Sequence, residues 1–207
     1  MNGILLVTME PPAVLEEEFN DWYDNEHIPE RLSIEGFFNG LRMVCIKGWP
    51  RYLAIYDLSN LSVLDSPGYL EVSGDNFSPW SKRVLNRVRG QYRAAGEQIF
   101  PGSKVTGSFS RLLLIRLRGL KLEQESELIH SALKGYESVS GVNQIRIFRV
   151  SGQTQYDHIV IIESICNLTI DPISSGVFGD LADKIDVINL YAPYWVRGHL
   201  VGVFDQH

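Results

Sequence analysis

This chain of 207 residues has no long hydrophobic run, no cluster of basic residues and only two cysteines, and each shortage removes a class of function. No apolar stretch approaches the roughly 18 residues that a membrane-spanning helix needs. The opening Met1 to Thr8 carries no cationic segment ahead of its short apolar run, so neither a membrane span nor an export signal is expected. With 19 basic residues against 25 acidic ones, the formal net charge is −6. Neither a nucleic-acid backbone nor an anionic membrane surface is an expected partner. Cys45 and Cys166 each close an apolar, strand-like run. They have no paired-cysteine spacing and no histidine partner, so they read as buried free thiols of a protein in the reducing cytoplasm. The sequence also lacks a glycine-rich dinucleotide loop after a strand, a P-loop, a GxSxG elbow and an HExxH helix, which sets aside nucleotide, acyl-serine and zinc chemistry.

What the chain does have is 44% hydrophobic residues, enough for a well-buried core, and one order of elements that occurs twice. The first half reads as a strand at Gly3 to Met9, a helix from about Leu15 to Leu32, and strands at Phe37 to Ile46 and Arg51 to Leu58. A broken helical region from Ser62 to Arg89 and a strand at Gly90 to Phe100 complete it. After Pro101-Gly102 the plan repeats: strand Arg111 to Leu117, helix Leu122 to Tyr136, strands Val142 to Val150 and Tyr156 to Ile165. A helix capped at Asp171-Pro172 and running to about Ile185 follows, then a strand within Val187 to Leu200. The halves share landmarks, Ser33 to Phe37 with Arg42 in one and Ser138 to Val142 with Arg146 in the other. This βαββαβ order predicts an α+β protein of two tandem ferredoxin-like units, 1–102 and 103–207, related by internal duplication. Ile4 to Val7 and Ile159 to Ile162 are apolar at consecutive positions. Both faces of those strands are therefore expected to be buried, with the two sheets packed into one α/β barrel and helices outside.

Chemistry-bearing residues crowd the first helix. At 100° per residue Leu15, Phe19 and Trp22 form an apolar arc, while Asn20, Asp24, His27 and Arg31 fall within about 60° on another and Tyr23 lies between. Asp24 precedes His27 by three residues and Tyr23 by four, spacings at which side chains meet, so Asp24 can orient the imidazole and raise its basicity. Glu26 falls in the apolar arc, where desolvation would raise its pKa toward acid/base use near neutral pH. The plainer reading sets Trp22 in the core, the Asp24–His27 pair in solvent, and Glu26 turned outward by Pro29. His130 and His158 read as solvated and structural, respectively.

The run Trp22-Tyr23-Asp24-Asn25-Glu26-His27-Ile28-Pro29-Glu30-Arg31-Leu32, with Gly36-Phe37 after it, resembles the signature of EthD-like members of the dimeric α/β-barrel superfamily. Tyr52 to Leu58, Ser66 to Leu70 and Ser78-Pro79-Trp80-Ser81-Lys82-Arg83-Val84 are similar to the strand and second-helix segments of the same proteins. The resemblance covers residues 1 to about 100. It implies that His27, Trp22, Tyr23 and Trp80 line a ligand cavity between helix and sheet, and it gives the second half no counterpart of His27, leaving that half a structural partner. The superfamily hosts several chemistries, so the resemblance fixes no reaction. The first expectation is a cofactor-independent enzyme in which His27, oriented by Asp24, moves a proton on a small aromatic or lactone-like substrate. Trp22, Tyr23 and Trp80 would hold that substrate, and Arg42 would offer a cation to an enolate or carboxylate, unless its strand position simply faces water. The alternatives are haem ligation by His27, against which the neighbouring Asp24 and Glu26 carboxylates weigh, and a non-catalytic barrel that binds a hydrophobic molecule. A homodimer is left open.

Overall fold

The computed structural model describes residues 1–150, 156–168, 172, 176–196 and 199–200. Eight strands make one closed antiparallel barrel: β1 (Gly3–Glu10), β2 (Leu41–Lys47), β3 (Tyr52–Leu58), β4 (Arg89–Phe100), β5 (Arg111–Leu120), β6 (Val142–Val150), β7 (Tyr156–Ser164) and β8 (Ile185–Pro193). The order round the barrel is β1-β3-β2-β8-β5-β7-β6-β4. The first four strands thus form one arc, β4-β1-β3-β2, and the last four the other, β8-β5-β7-β6. The arcs join twice by the same rule, the second strand of each pairing with the fourth of the other, and closure leaves the barrel no free edge. Two short strands, β9 (Trp195–Val196) and β10 (His199–Leu200), pair with each other outside it.

The side-chain alternation of the strands explains why apolar residues run consecutively. Ile4 and Leu6 of β1 point into the barrel with Met43, Ile55, Leu114 and Ile161. Leu5 and Val7 point outward under the helices of the first half, with Phe19, Trp22 and Tyr56. Leu113, Ile115, Val160 and Ile162 do the same beneath the helix Glu125–Tyr136. Three cores result, one inside the barrel and one outside each arc, as the two-sided apolar pattern requires.

One end of the barrel is closed by charge. Arg146 on β6 is fully buried and pairs with Asp57 of β3 at 2.6 Å and Glu163 of β7 at 2.9 Å. The polar stretch after β4 is drawn over this end: the backbone N–H of Thr106 donates to Asp57 and that of Gly107 to Glu163. The sequence parallel between Arg42 and Arg146 does not hold. Arg42 stands six residues after Gly36 but Arg146 only five after Gly141, and the alternation of a strand sends them to opposite faces. The glycine landmark itself does hold. Gly36 and Gly141 both have positive φ, and each carbonyl accepts a hydrogen bond at 2.9 Å, from the N–H of Ser59 and of Ile165 respectively.

Two expectations change. Cys166 is exposed rather than buried, because β7 ends just before it and the chain turns out against Gly141. The helix expected from Asp171 begins outside the described residues, and its described end is a 3₁₀ segment, Gly179–Lys184.

Candidate functional site

The first helix is not one regular α-helix. It runs as α1 (Glu16–Trp22), a single π-helical turn (Tyr23–His27) and α2 (Ile28–Leu32). Pro29 has no N–H to return to residue 25, and the N–H of Ile28 reaches back five residues to the carbonyl of Tyr23, which widens the turn. A wider turn rotates each residue less, so Asp24 and His27 diverge by more than the roughly 60° that three α-helical residues give. Asp24 turns to Arg42 at 2.8 Å, and His27 turns into the layer between helix and sheet. The expected Asp24–His27 pair is therefore not formed.

Arg42 likewise offers no free cation. It is 1% exposed, bonded to Asp24 and to Asn20, and its guanidinium lies over the rings of Tyr194 at 4.3 Å, Tyr23 at 4.6 Å and Tyr52 at 5.4 Å. It neither faces water, as the plainer reading had it, nor has charge to spare. Burial raises the Asp24 carboxyl above its ordinary range while Arg42 opposes the rise. Glu26 is half-buried and accepts hydrogen bonds from Ser78 and Ser81 of the segment opening α4 (Pro79–Leu85). Ser81 in turn accepts from the indole Nε1 of Trp22 at 2.9 Å. Glu26 thus belongs to a tie between helices rather than to an apolar arc.

Aromatic residues pack around His27. The His27 ring lies 4.4 Å from that of Trp22, tilted by 31°, and 5.3 Å edge-on to Tyr23, with Tyr56 and Phe77 each at 6.5 Å. Trp80 packs against the same cluster. Six buried side-chain polar atoms among the described residues have no hydrogen-bond partner, and four belong to this layer: His27 Nδ1, Arg31 Nη1, Tyr56 Oη and Trp80 Nε1. Leaving a buried polar group unpaired costs about 1–3 kcal/mol, so such a concentration calls for a reason.

Arg31 is the most informative member. It is 2% exposed, lies over the rings of Tyr69 at 4.8 Å and Phe77 at 5.8 Å, and donates through Nη2 to the carbonyl of Val72 at 2.7 Å. Among the described residues no carboxylate is within ion-pair distance of it. Burial, with help from the charges of Arg31 and Arg42, lowers the His27 pKa well below its ordinary value, so the imidazole is neutral. Burial raises the Tyr56 phenol well above its ordinary pKa and the Tyr23 phenol to about 12, so both keep their protons. The layer therefore holds a neutral imidazole, hydroxyl donors and an unpaired cation. Val72 also lies on the wall of an open groove of about 680 Å³, bounded by Ser33, Gly36, Ser59, Val63 and Ser66.

Sequence reasoning missed Arg31 and Tyr56 as site residues. Arg31 was within reach, one helical turn after His27 and on the same arc. Tyr56 carried only strand alternation with Tyr52, which does not show that a hydroxyl lacks a partner.

No family model and no curated protein sequence matches the chain. Solved structures do. An anthrone oxidase-like protein superposes with a TM-score of 0.66 at 9% identity, covering 94% of this chain and 91% of its own. A proposed monooxygenase from Lactobacillus acidophilus NCFM gives 0.54 at 8% identity, over 99% and 100% of the two chains. A heme-binding protein from Thermus thermophilus gives 0.51 at 10% identity, over 94% and 91%. The chain shares the fold of these structures, an α+β barrel, with both arcs of the barrel in a single chain.

Proposed function

We propose that the chain is a cofactor-independent acid/base enzyme acting on a small aromatic substrate, with His27 as the proton acceptor. The observation that supports it is the convergence of neutral His27, the Tyr56 hydroxyl and unpaired Arg31 in one aromatic layer. A neutral imidazole takes a proton from an acidic C–H or O–H of the substrate. Tyr56 Oη and Arg31 Nη1 donate to the oxygen on which the charge then collects, and their lack of other partners leaves them free to do so. Trp22, Tyr23 and Trp80 supply the ring contacts, and Asp24 and Arg42 hold the helix that presents His27. The substrate approaches along the groove past Arg31. The EthD-like resemblance of Trp22 to Leu32 accords with this reading, and the anthrone oxidase-like neighbour suggests a substrate whose carbanion dioxygen can oxidise.

Haem fits the layer less well. Of the two cations that act on His27, Arg42 is already paired with Asp24, which leaves Arg31 alone to meet the two carboxylates of a porphyrin.

Anthrone, a C–H acid whose enolate is aromatic, is the probe for a direct test. Without oxygen, the protein is expected to speed exchange of the anthrone methylene protons with deuterated water. His27→Gln should lower that rate by roughly 100-fold or more, the usual worth of a general base. In air, oxygen uptake separates an oxidase from an isomerase. Equal exchange with and without protein, together with a Soret band on adding haemin that His27→Gln abolishes, would turn the reading to the haem alternative.

A further inference from the structure

The barrel is plugged by Arg146 at one end, but its other end is built differently. Register places Asp57 opposite Ile4 and Leu53 opposite Thr8, so Thr8 lies at the end away from the plug. Around it is a cavity of about 120 Å³. Its apolar floor is Leu6, Leu114 and Ile159, all at most 3% exposed. Its rim carries Tyr92, Arg116 and Trp49.

The rim is held in shape from outside. Trp49 is 57% exposed, unusual for so large an apolar ring, yet its backbone is clamped on both sides by Asn189. The Trp49 N–H donates to Asn189 Oδ1 at 3.2 Å, and Asn189 Nδ2 donates to the Trp49 carbonyl at 2.9 Å. The indole lies against Gly90, where a Cβ would meet its Cη2 at 2.2 Å. Arg116 is fixed by a two-pronged pair with Asp186, both bonds 2.7 Å, and lies flat over the Tyr92 ring at 4.1 Å. Arg116 also acts on the Tyr92 hydroxyl, which is buried and donates its own proton to no acceptor among the described residues. An exposed tryptophan and a buried hydroxyl with no acceptor among the described residues thus border the same cavity.

We propose that this mouth is a second binding site, for a neutral single-ring aromatic carbonyl compound. At about 120 Å³ the cavity is somewhat smaller than the roughly 150 Å³ that encloses benzene, so it seats one ring at most, with the rest of the ligand in the open mouth. The ring would lie on Leu6, Leu114 and Ile159 beneath Trp49, and its carbonyl oxygen would accept the Tyr92 hydroxyl. The charges around the rim favour a neutral guest, since Arg116 and Arg118 are matched by Asp186 and by Asp157 near Tyr92. The site shares no residue with the His27 layer, which lies on the outer face of the first arc.

Acetophenone is the probe, titrated into the full chain and followed by tryptophan fluorescence. The expected result is a saturable quench that Trp49→Phe removes and His27→Gln leaves unchanged. Tyr92→Phe deletes a hydroxyl that donates to no acceptor among the described residues and keeps the ring under Arg116, so the variant folds, and it should weaken acetophenone by about five-fold, the worth of one neutral hydrogen bond. Toluene, which has no acceptor, and benzoate, which is charged, should bind more weakly than acetophenone to the unaltered chain. The proposal is overturned by a quench that does not saturate, by equal affinity in Tyr92→Phe, or by loss of binding in His27→Gln, which would move the probe to the other site.

Discussion

Arg31 and Arg42 are both buried on the same side of the sheet and differ in what surrounds their charge. Removing Arg42 strands the partly buried carboxylate of Asp24 and empties an aromatic cage, so Arg42→Met should cost about 3–5 kcal/mol in urea unfolding. Arg31→Met strands no carboxylate and should leave stability within about 1 kcal/mol of the parent while abolishing the anthrone activity. The reverse ranking of the two variants in urea would remove Arg31 from the site. His27 supplies a third contrast, through pH. Its folded-state pKa lies below the ordinary value of 6.5, chiefly because it is buried. Below about pH 6.5 the unfolded chain therefore binds a proton that the folded chain does not, so stability falls as the pH drops through that window. His27→Gln should flatten that part of the curve, a difference that thermal melting at about pH 8 and about pH 5 reads directly. His27 is marked out in the sequence by the aromatic and acidic residues beside it along the helix. The isolation of Arg31 is not, since a missing partner is a property of three-dimensional surroundings.

At the scale of elements, the π-helical turn decides which side chains meet. Sequence spacing assumes a regular helix, and on that assumption Asp24 and His27 pair. Pro29 was visible as a disturbance, but its effect is a widened turn that separates them rather than a helix end. Pro29→Ala restores an N–H that can bond to residue 25, and the helix should then tighten and swing His27 out of the aromatic layer. The near-ultraviolet circular dichroism of Trp22 and Tyr23 should change while unfolding free energy holds or rises. An unchanged aromatic spectrum would show that the turn has another cause. The strands were easier to read. Consecutive apolar residues in β1 and β7 mark burial on both faces, and the limits of β6 agree residue for residue with the pattern of its sequence. The segment before β8 carries a helix cap in sequence, but glycines at 176 and 179, both at positive φ, break it into turns.

For the molecule as a whole, closure through β2–β8 and β4–β6 makes each arc the other's missing edge. We propose that residues 1–102 and 103–207 are two duplicated units held in that relation. The first unit expressed alone should then be a dimer that rebuilds an eight-stranded barrel, and light scattering on a size-exclusion column would report it. A stable folded monomer would contradict that division. Arg146 makes the closure ionic as well as hydrogen-bonded, because it joins Asp57 of the first arc to Glu163 of the second. Arg146→Met leaves two buried carboxylates without their cation and should cost at least about 3–5 kcal/mol, lost in a single cooperative transition.

Continuity of the chain around the barrel has one more consequence. A ring assembled from two copies of one polypeptide must accept every substitution twice, so a residue that helps one site and harms the other is trapped in compromise. Here each arc mutates by itself. His27 stands nine residues before Gly36, and the residue nine before Gly141 is Ala132, wholly buried beneath β5 and β7. One arc can thus keep His27 with its unpaired neighbours while the other holds a buried alanine at the corresponding place.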